Sequence, residues 1–324
     1  MASYRDAGVD LEGGSRHVTR IAESVTSTWG PQVAGSFGGF ASGIRIPDGY
    51  NRPVLMMTTD GVGTKLDLAR RSGRWSGVGH DLVAMCVDDL AAVGARPLGL
   101  VDYMAVGALD ADRDAAIVTS IAEACLKAGA PLLGGETAEH PGVMAPDAVD
   151  LAATALGIVD EGAELGPHRV ARGDLIVGLL SPNLRSNGFS LIRRLFEDDI
   201  DYHFDVLLEP SVLYSPATLD LMEQGEVNAA AHITGGGIIE NLPRSIPEGF
   251  GARVDTSTWE PPPVFTLIEE RGVGRDEMFR TFNMGIGFCL IVDPTRAPGV
   301  VSRLGATVAT VIGEIVPGAG VVLE

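Results

Sequence analysis

Apolar positions along the first half of the chain form short runs that alternate with stretches of helical spacing. "PVLMMTTD" (53–60) reads as a strand closed by Asp60. In "GHDLVAMCVDDLAAVGA" (79–95), Leu82, Val83, Cys86, Val87 and Leu90 recur at the spacing of one helix face. "PLGLVDYMAVGAL" (97–109) predicts a long strand, and the helix after it has Asp110 or Asp112 as its cap. "PLLGGETAEHPG" (131–142) reads as a short apolar strand opening into a glycine-rich loop, and "DLAATALGIVD" (150–160) as a further strand.

The periodicity stops at "EGAELGPHRVARGD" (161–174), which predicts a domain boundary near residue 166, dividing the chain into 1–166 and 167–324. Beyond it come a strand at "DLIVGLLS", a Ser186-Asn187-Gly188 turn and a helix over 188–196. The acidic "EDDIDYHFD" (197–205) reads as a solvated loop. A helix at 211–224, strands into "HITGGG" and near "GARVDT", helices at 263–271 and 275–281, and a strand at "GIGFCLIVD" follow. The class is mixed α/β or α+β, with strand order left open by periodicity.

Composition narrows the function. With 324 residues, 45% of them hydrophobic, the chain can bury two cores. The 24 Lys and Arg stand against 43 Asp and Glu, a net charge of −19, which argues against nucleic acid or an anionic membrane as partner. Phosphates would need local help from backbone N–H groups, a few placed cations or Mg²⁺. Cys86, Cys125 and Cys289 lie far apart in apolar runs and read as reduced, packed thiols. The start of the chain has no apolar signal core, so the expectation is a soluble cytoplasmic protein.

Four glycine-rich segments border predicted elements: "GSFGGFA" (35–41), "TTDGVGTK" (58–65), "GGETAEHPG" (134–142) and "TGGGIIEN" (234–241). "DGVGTK" groups a carboxylate, two glycines, a hydroxyl and a lysine, but it is not a Walker A loop, and no G-x-G-x-x-G follows a strand. Asp60, Asp81, Asp88, Asp89, Glu136 and Glu139 cluster near these loops, a combination suited to Mg²⁺–nucleotide. Asp88 and Asp89 diverge by about 100° on a helix, so only one can point at a given metal. The histidines have no metal-ligand spacing, and no G-x-S-x-G supports hydrolase chemistry. At "NLRSNGFSLIRRLF" (183–196), outward N–H groups behind Arg185 allow a phosphate site, a catalytic site or a capped surface helix.

Taken together, "SYRDAGVD", "GSFGGF", "TDGVGTKLDLA", "HDLVAMCVDDLAAVGARPL", "GGETAEHPG", "SNGFSLIRRL", "HITGGGIIENLPR" and "MFRTFNMGIG" make the chain resemble the phosphoribosylformylglycinamidine cyclo-ligase (aminoimidazole ribonucleotide synthetase) family nearly end to end. The resemblance implies a two-domain α/β fold whose N-terminal sheets pair into a barrel across a homodimer. It also implies ATP-driven phosphorylation of the formamide oxygen of a small ribonucleotide, followed by closure of an imidazole ring. On that basis Asp60, Asp89 and Glu136 would position Mg²⁺–ATP, and Lys65 would meet phosphate charge. Gly35, Gly38, Gly39, Gly61, Gly63, Thr64, Thr137, Gly235 and Gly236 would line the nucleotide, while Asn187 and Asn283 would meet the formyl and amidine groups.

Three positions depart from the family pattern. Arg185 replaces the family's usual His, and Ala22 follows Arg20-Ile21 where a lysine is usual. Thr28-Trp29-Gly30-Pro31 replaces a basic stretch. Arginine cannot exchange a proton near neutral pH but can fork two hydrogen bonds to phosphate. Drift at tolerant positions, a paralogue activating a different, specialised-metabolite amide, or a pseudoenzyme would each explain these departures; a small-molecule phosphotransferase of the same superfamily, such as thiamine-monophosphate kinase, is a separate alternative.

Overall fold

The computed structural model describes residues 8–324, so Tyr4 and Arg5 of the "SYRDAGVD" motif lie outside the described residues. The chain opens with α1 (Leu11–Ser27), then a two-residue strand pair, β1 (Val33–Ala34) and β2 (Gly43–Ile44), that holds the first glycine loop between its arms. Next come β3 (Pro53–Gly61), α2 (Lys65–Ser72), α3 (Val78–Ala92), β4 (Arg96–Val106), α4 (Ala111–Ala128), β5 (Leu132–Glu139) and β6 (Val149–Asp160). These strands form a four-stranded sheet in the order β3-β6-β4-β5. Asp110 caps α4, accepting from the N–H groups of Asp112 and Arg113.

The second sheet begins with β7 (Leu175–Leu180) and continues through α5 (Phe189–Leu195), α6 (Phe204–Leu207), α7 (Ser215–Glu223) and β8 (Ala229–His232). It is completed by α8 (Gly237–Asn241), β9 (Phe250–Val254), α9 (Pro263–Glu269), α10 (Arg275–Thr281), β10 (Ile286–Val292), α11 (Ala297–Leu304), β11 (Ala309–Pro317) and β12 (Val321–Leu323). Its six strands run β12-β9-β11-β7-β10-β8, with β12–β9 the parallel pair.

Leu82, Val83, Cys86, Val87 and Leu90 are all buried, as their spacing predicts, and pack with Ile117, Ile121, Leu100 and Met104 in the core of the first sheet. A second core gathers Phe189, Ile192, Phe196, Phe265 and Phe282. α3 is the shared element. It packs on α4, β3 and β6 and also touches β8 and α7, so residues on its different faces meet different halves of the molecule.

Three local expectations change. The predicted loop "GGETAE" continues β5 as far as Glu139, because parallel pairing with β4 supplies hydrogen-bond partners and Gly135 makes room for Asp102. The acidic 197–205 segment is not fully solvated: it turns through 200–203 into α6 and buries Ile200 and Phe204. The helix expected from 211 starts at Ser215, since the N–H groups of Ser211, Tyr214 and Ser215 donate to carboxylates of α3.

Candidate functional site

The first candidate site is a cleft between the end of β3, α3 and the loops after β7 and β8. Thr58 and Asp60 are two residues apart on β3 and so share a face. Thr58 Oγ1 donates to Asp89 Oδ2 at 3.2 Å, and the other Asp89 oxygen lies 2.9 Å from His232 Nδ1. Burial pushes the Asp60 carboxyl up, helped by the Asp89 charge and opposed by the Gly61 N–H, which donates to Asp60 Oδ1 at 2.7 Å, and by His232. Burial also acts to raise Asp89, but His232, Thr58 and Arg244 outweigh it and hold the group below the usual range. His232 is buried and its Nε2 has no hydrogen-bond partner among the described residues. A cavity of about 360 Å³ opens here, lined by Thr58, Asp89, His232, Asn241 and Arg244 among others.

Asn187 continues this cleft. Its Nδ2 has only Met85 Sδ, at 3.9 Å, and Met85 stands one helical turn before Asp89 on α3. A Cβ placed on Gly235, three residues after His232, would lie 3.6 Å from Asn187 Oδ1. The turn from Gly61 through Gly63 (φ 69°) delivers Thr64, whose hydroxyl lies 3.2 Å from that of Ser190. Gly236 (φ 95°) starts α8 at the far side of the same glycine run. Of the predicted residues, Asp60 thus lies near Asp89, Gly235 near Asn187, and Thr64 against Ser190, three residues beyond Asn187.

Three predicted site residues are not available there. Lys65 is buried and donates to Asp81 Oδ1 (2.9 Å), to the Arg185 carbonyl (3.0 Å) and to the Glu209 carbonyl (2.9 Å). An ammonium has three protons, so none is left for phosphate. Burial pushes the Lys65 pKa down and Asp81 opposes the shift. Arg185 is also fully buried: its guanidinium pairs with Asp88 Oδ2 at 2.8 Å and lies over the Tyr214 ring at 4.7 Å. Its guanidinium gives one hydrogen bond to that interior carboxylate and a long one, 3.5 Å, to the Gly287 carbonyl. Asn283 donates to the Asn183 carbonyl (3.0 Å) and accepts from the Gly285 N–H (2.8 Å), so both ends of its amide bind the chain itself.

The metal triad also separates. Register runs Asp60↔Ala153, Ala153↔Asp102 and Asp102↔Gly135 across the sheet. Glu136 is thus three strands from Asp60, roughly 14 Å at the usual strand spacing. Among the described residues no group of three or more His, Cys, Asp or Glu could hold a metal ion. What remains is the Asp60–Asp89 pair. Asp88 and Asp89 do diverge, the first toward Arg185 and the second toward His232.

Glu136 belongs to a second cavity, about 280 Å³, beneath the β1–β2 loop. Gly38, Gly39, Phe37, Thr137, Asp102 and His17 line it, and Gly35 (φ 110°) starts the loop above. His17 Nε2 lies 3.3 Å from Thr137 Oγ1, while its buried Nδ1 has no partner. Burial lowers the His17 pKa, with Asp114 opposing. Burial, with help from the Glu136 charge, pushes Asp102 up to about 7. Sequence reasoning missed His232, His17 and Asp102. The position of His232 next to "TGGG" was a usable signal; Asp102 was visible only as a lone carboxylate inside an apolar strand. All three cysteines are free and buried, and burial pushes Cys86 up to about 12.

Residues 43–159 match the family described as "AIR synthase related protein, N-terminal domain", and residues 171–324 match its C-terminal domain. The chain is 44% identical to a phosphoribosylformylglycinamidine cyclo-ligase of Carboxydothermus hydrogenoformans, over 98% of this chain and 96% of that one. It is 47% identical to the enzyme of the same name from Anaeromyxobacter sp. strain K, over 90% and 88%. Among solved structures, the hydrogenase maturation protein HypE in complex with ATP superposes with a TM-score of 0.71 at 18% identity, covering 98% of this chain and 93% of that one. Thiamine-monophosphate kinase from Stenotrophomonas maltophilia superposes at 0.67 and 21%, covering 96% and 95%. At these identities the two structures speak for the fold alone. Among the described residues no helix is long and apolar enough to cross a membrane.

Proposed function

The chain belongs to the phosphoribosylformylglycinamidine cyclo-ligase family, and on that premise we propose that its cleft and its cavity divide one ATP-dependent ring closure between them. The protein is an ATP-dependent ligase that converts formylglycinamidine ribonucleotide to aminoimidazole ribonucleotide in purine biosynthesis. An amide oxygen leaves poorly and its phosphate ester leaves well. ATP therefore phosphorylates the formamide oxygen, the amidine nitrogen attacks the activated carbon, and phosphate departs. The chain must hold the γ-phosphoryl group in line with that oxygen and keep the amidine close.

In this reading the cleft carries the chemistry. Asp60 and Asp89 suit Mg²⁺, which takes one or two carboxylates and completes its shell from phosphates and water. Their donor set fits the ion, since Asp89's charge already disfavours ionising Asp60 and a cation between them would relieve that cost. When bound, Mg²⁺ would neutralise phosphate charge. The glycine turns at 61–63 and 235–236 offer N–H groups to phosphate oxygens, and Asn187 orients the formyl or amidine group. The second cavity, with Gly38, Gly39, Glu136 and Thr137, would take the rest of the nucleotide.

The carrying observation is the Asp60–Asp89 pair, in which the Asp89 charge helps push Asp60 up, together with an Asn187 whose Nδ2 finds only Met85 Sδ, at 3.9 Å, among the described residues. Arg185, the departure that most favoured a different substrate, faces Asp88 inside the protein, so it gives the cleft no new specificity.

We extend the reading to a homodimer. Leu55, Met57, Val101 and Tyr103 lie exposed on the face of the four-stranded sheet opposite α3, an apolar surface that a second copy would cover, closing a barrel. The boundary near residue 166 is kept as the working division, and the free thiols suit the cytoplasm. The test supplies Mg²⁺–ATP and formylglycinamidine ribonucleotide and measures ADP and aminoimidazole ribonucleotide. ATP binding without either product, at any enzyme concentration, rejects the reading.

A further inference from the structure

Arg185 is one of two non-glycine residues with a left-handed backbone among those described (φ 60°), a conformation that a side chain must be held in. It is held from every side. Its N–H donates to Asn183 Oδ1 at 2.9 Å, and its carbonyl accepts from Lys65. Its guanidinium donates to Asp88, whose other oxygen accepts from the N–H groups of Tyr214 (2.9 Å) and Ser215 (2.8 Å). Three residues on, Gly188 (φ 80°) is pressed against Phe282, where a Cβ would collide with the ring. The turn 186–188 is thus fastened at both ends, and it carries two under-used polar side chains: Ser186, whose buried Oγ has no partner among the described residues, and the part-buried Asn187, whose Nδ2 meets only Met85 Sδ there.

We propose that Arg185 is a positioning residue: by its pair with Asp88 it fixes the 186–188 turn on α3 so that Asn187 is presented to the cleft. This rests on the cleft being the reacting site. It gives Arg185 a role different from that of a histidine at the same place, because the guanidinium is fully buried against Asp88, the Gly287 carbonyl and the Tyr214 ring. A lone buried charge is far more damaging than a missing pair, so Asp88 and Arg185 should behave as one unit.

The test compares the full-length wild type with Arg185→Gln, Asp88→Asn and the double variant, at a temperature where each is folded by circular dichroism. Arg185→Gln should lower kcat at least about tenfold and leave KM for Mg²⁺–ATP within about twofold. Amide hydrogen exchange over 186–190 should speed by at least about tenfold, with β9 and β11 unchanged. The double variant should exceed Asp88→Asn in kcat by about threefold or more. If Arg185→Gln does not fold, Arg185→Lys, which keeps the charge but not the planar guanidinium over Tyr214, replaces it with the same expected directions. A rise in KM for ATP at constant kcat overturns the proposal in favour of phosphate contact. A fall in Tm with unchanged kcat and unchanged exchange at 186–190 overturns it in favour of a purely structural strut. If the wild type makes no aminoimidazole ribonucleotide, the functional reading fails, and the exchange measurement alone decides the positioning role: unchanged protection in Arg185→Gln rejects it.

Discussion

Two regions on either side of α3 are built from the same residue types and end in opposite states. On one side, Asp81 and Asp88 are buried, each matched to a cation and to backbone N–H groups of the 211–215 segment. On the other, Asp60 and Asp89 lie near each other, offset by the Gly61 N–H, His232, Thr58 and the charge of Arg244. Each carboxylate of the first region has a Lys or Arg against it, while among the described residues neither Asp60 nor Asp89 forms an ion pair with one. A carboxylate paired with a fixed cation holds the structure together; one without such a cation can engage a metal ion.

The sharpest break of this comparison is Asp89→Ala. It should lower kcat/KM by about a thousandfold or more while the melting temperature moves little, because the side chain is 40% exposed. A large fall in Tm with activity retained would move Asp89 into the structural group. Lys65→Met tests the other side. Leaving Asp81 unpaired should cost about 3–5 kcal/mol in urea unfolding, with KM for ATP unchanged in the folded fraction. A raised KM would return Lys65 to the phosphate.

Met57→Asp on the open sheet face puts a charge where a second copy would pack, and sedimentation should show a monomer in place of a dimer. The smallest effect expected is a pH dependence from Asp102. Its folded pKa, about 7, lies above the unfolded value, so protonation stabilises the fold. That stability is fully present below about pH 4 and is lost as pH rises through about 7. Asp102→Asn should therefore raise Tm at pH 8 and leave it nearly unchanged at pH 4. Equal changes at both values would mean the carboxyl titrates normally.

Much of this fold is legible in the chain. The α3 stripe, the cap at Asp110 and the strands at 53–60 and 150–160 follow from periodicity, because each depends on neighbours within a few residues. "GGETAE" looks like a turn in the chain; its strand form depends on pairing with β4, where Val101↔Gly134 and Val106↔Glu139 join residues 33 apart. No element is predicted beyond residue 293, yet β11 and β12 lie there and complete the second sheet.

For the site, sequence alone determined the acids, the glycine turns, the opposite headings of Asp88 and Asp89 and the family resemblance. These are local or compositional properties, fixed by helical geometry and by which residues are present. Only the tertiary structure decided which charges are consumed. Lys65 and Arg185 look like phosphate ligands in the chain because their motifs sit beside glycine loops. Their partners Asp81 and Asp88 stand 16 and 97 residues away, and burial makes those pairings compulsory. The same long-range packing separated Glu136 from Asp60 and left Asn187 facing the cleft.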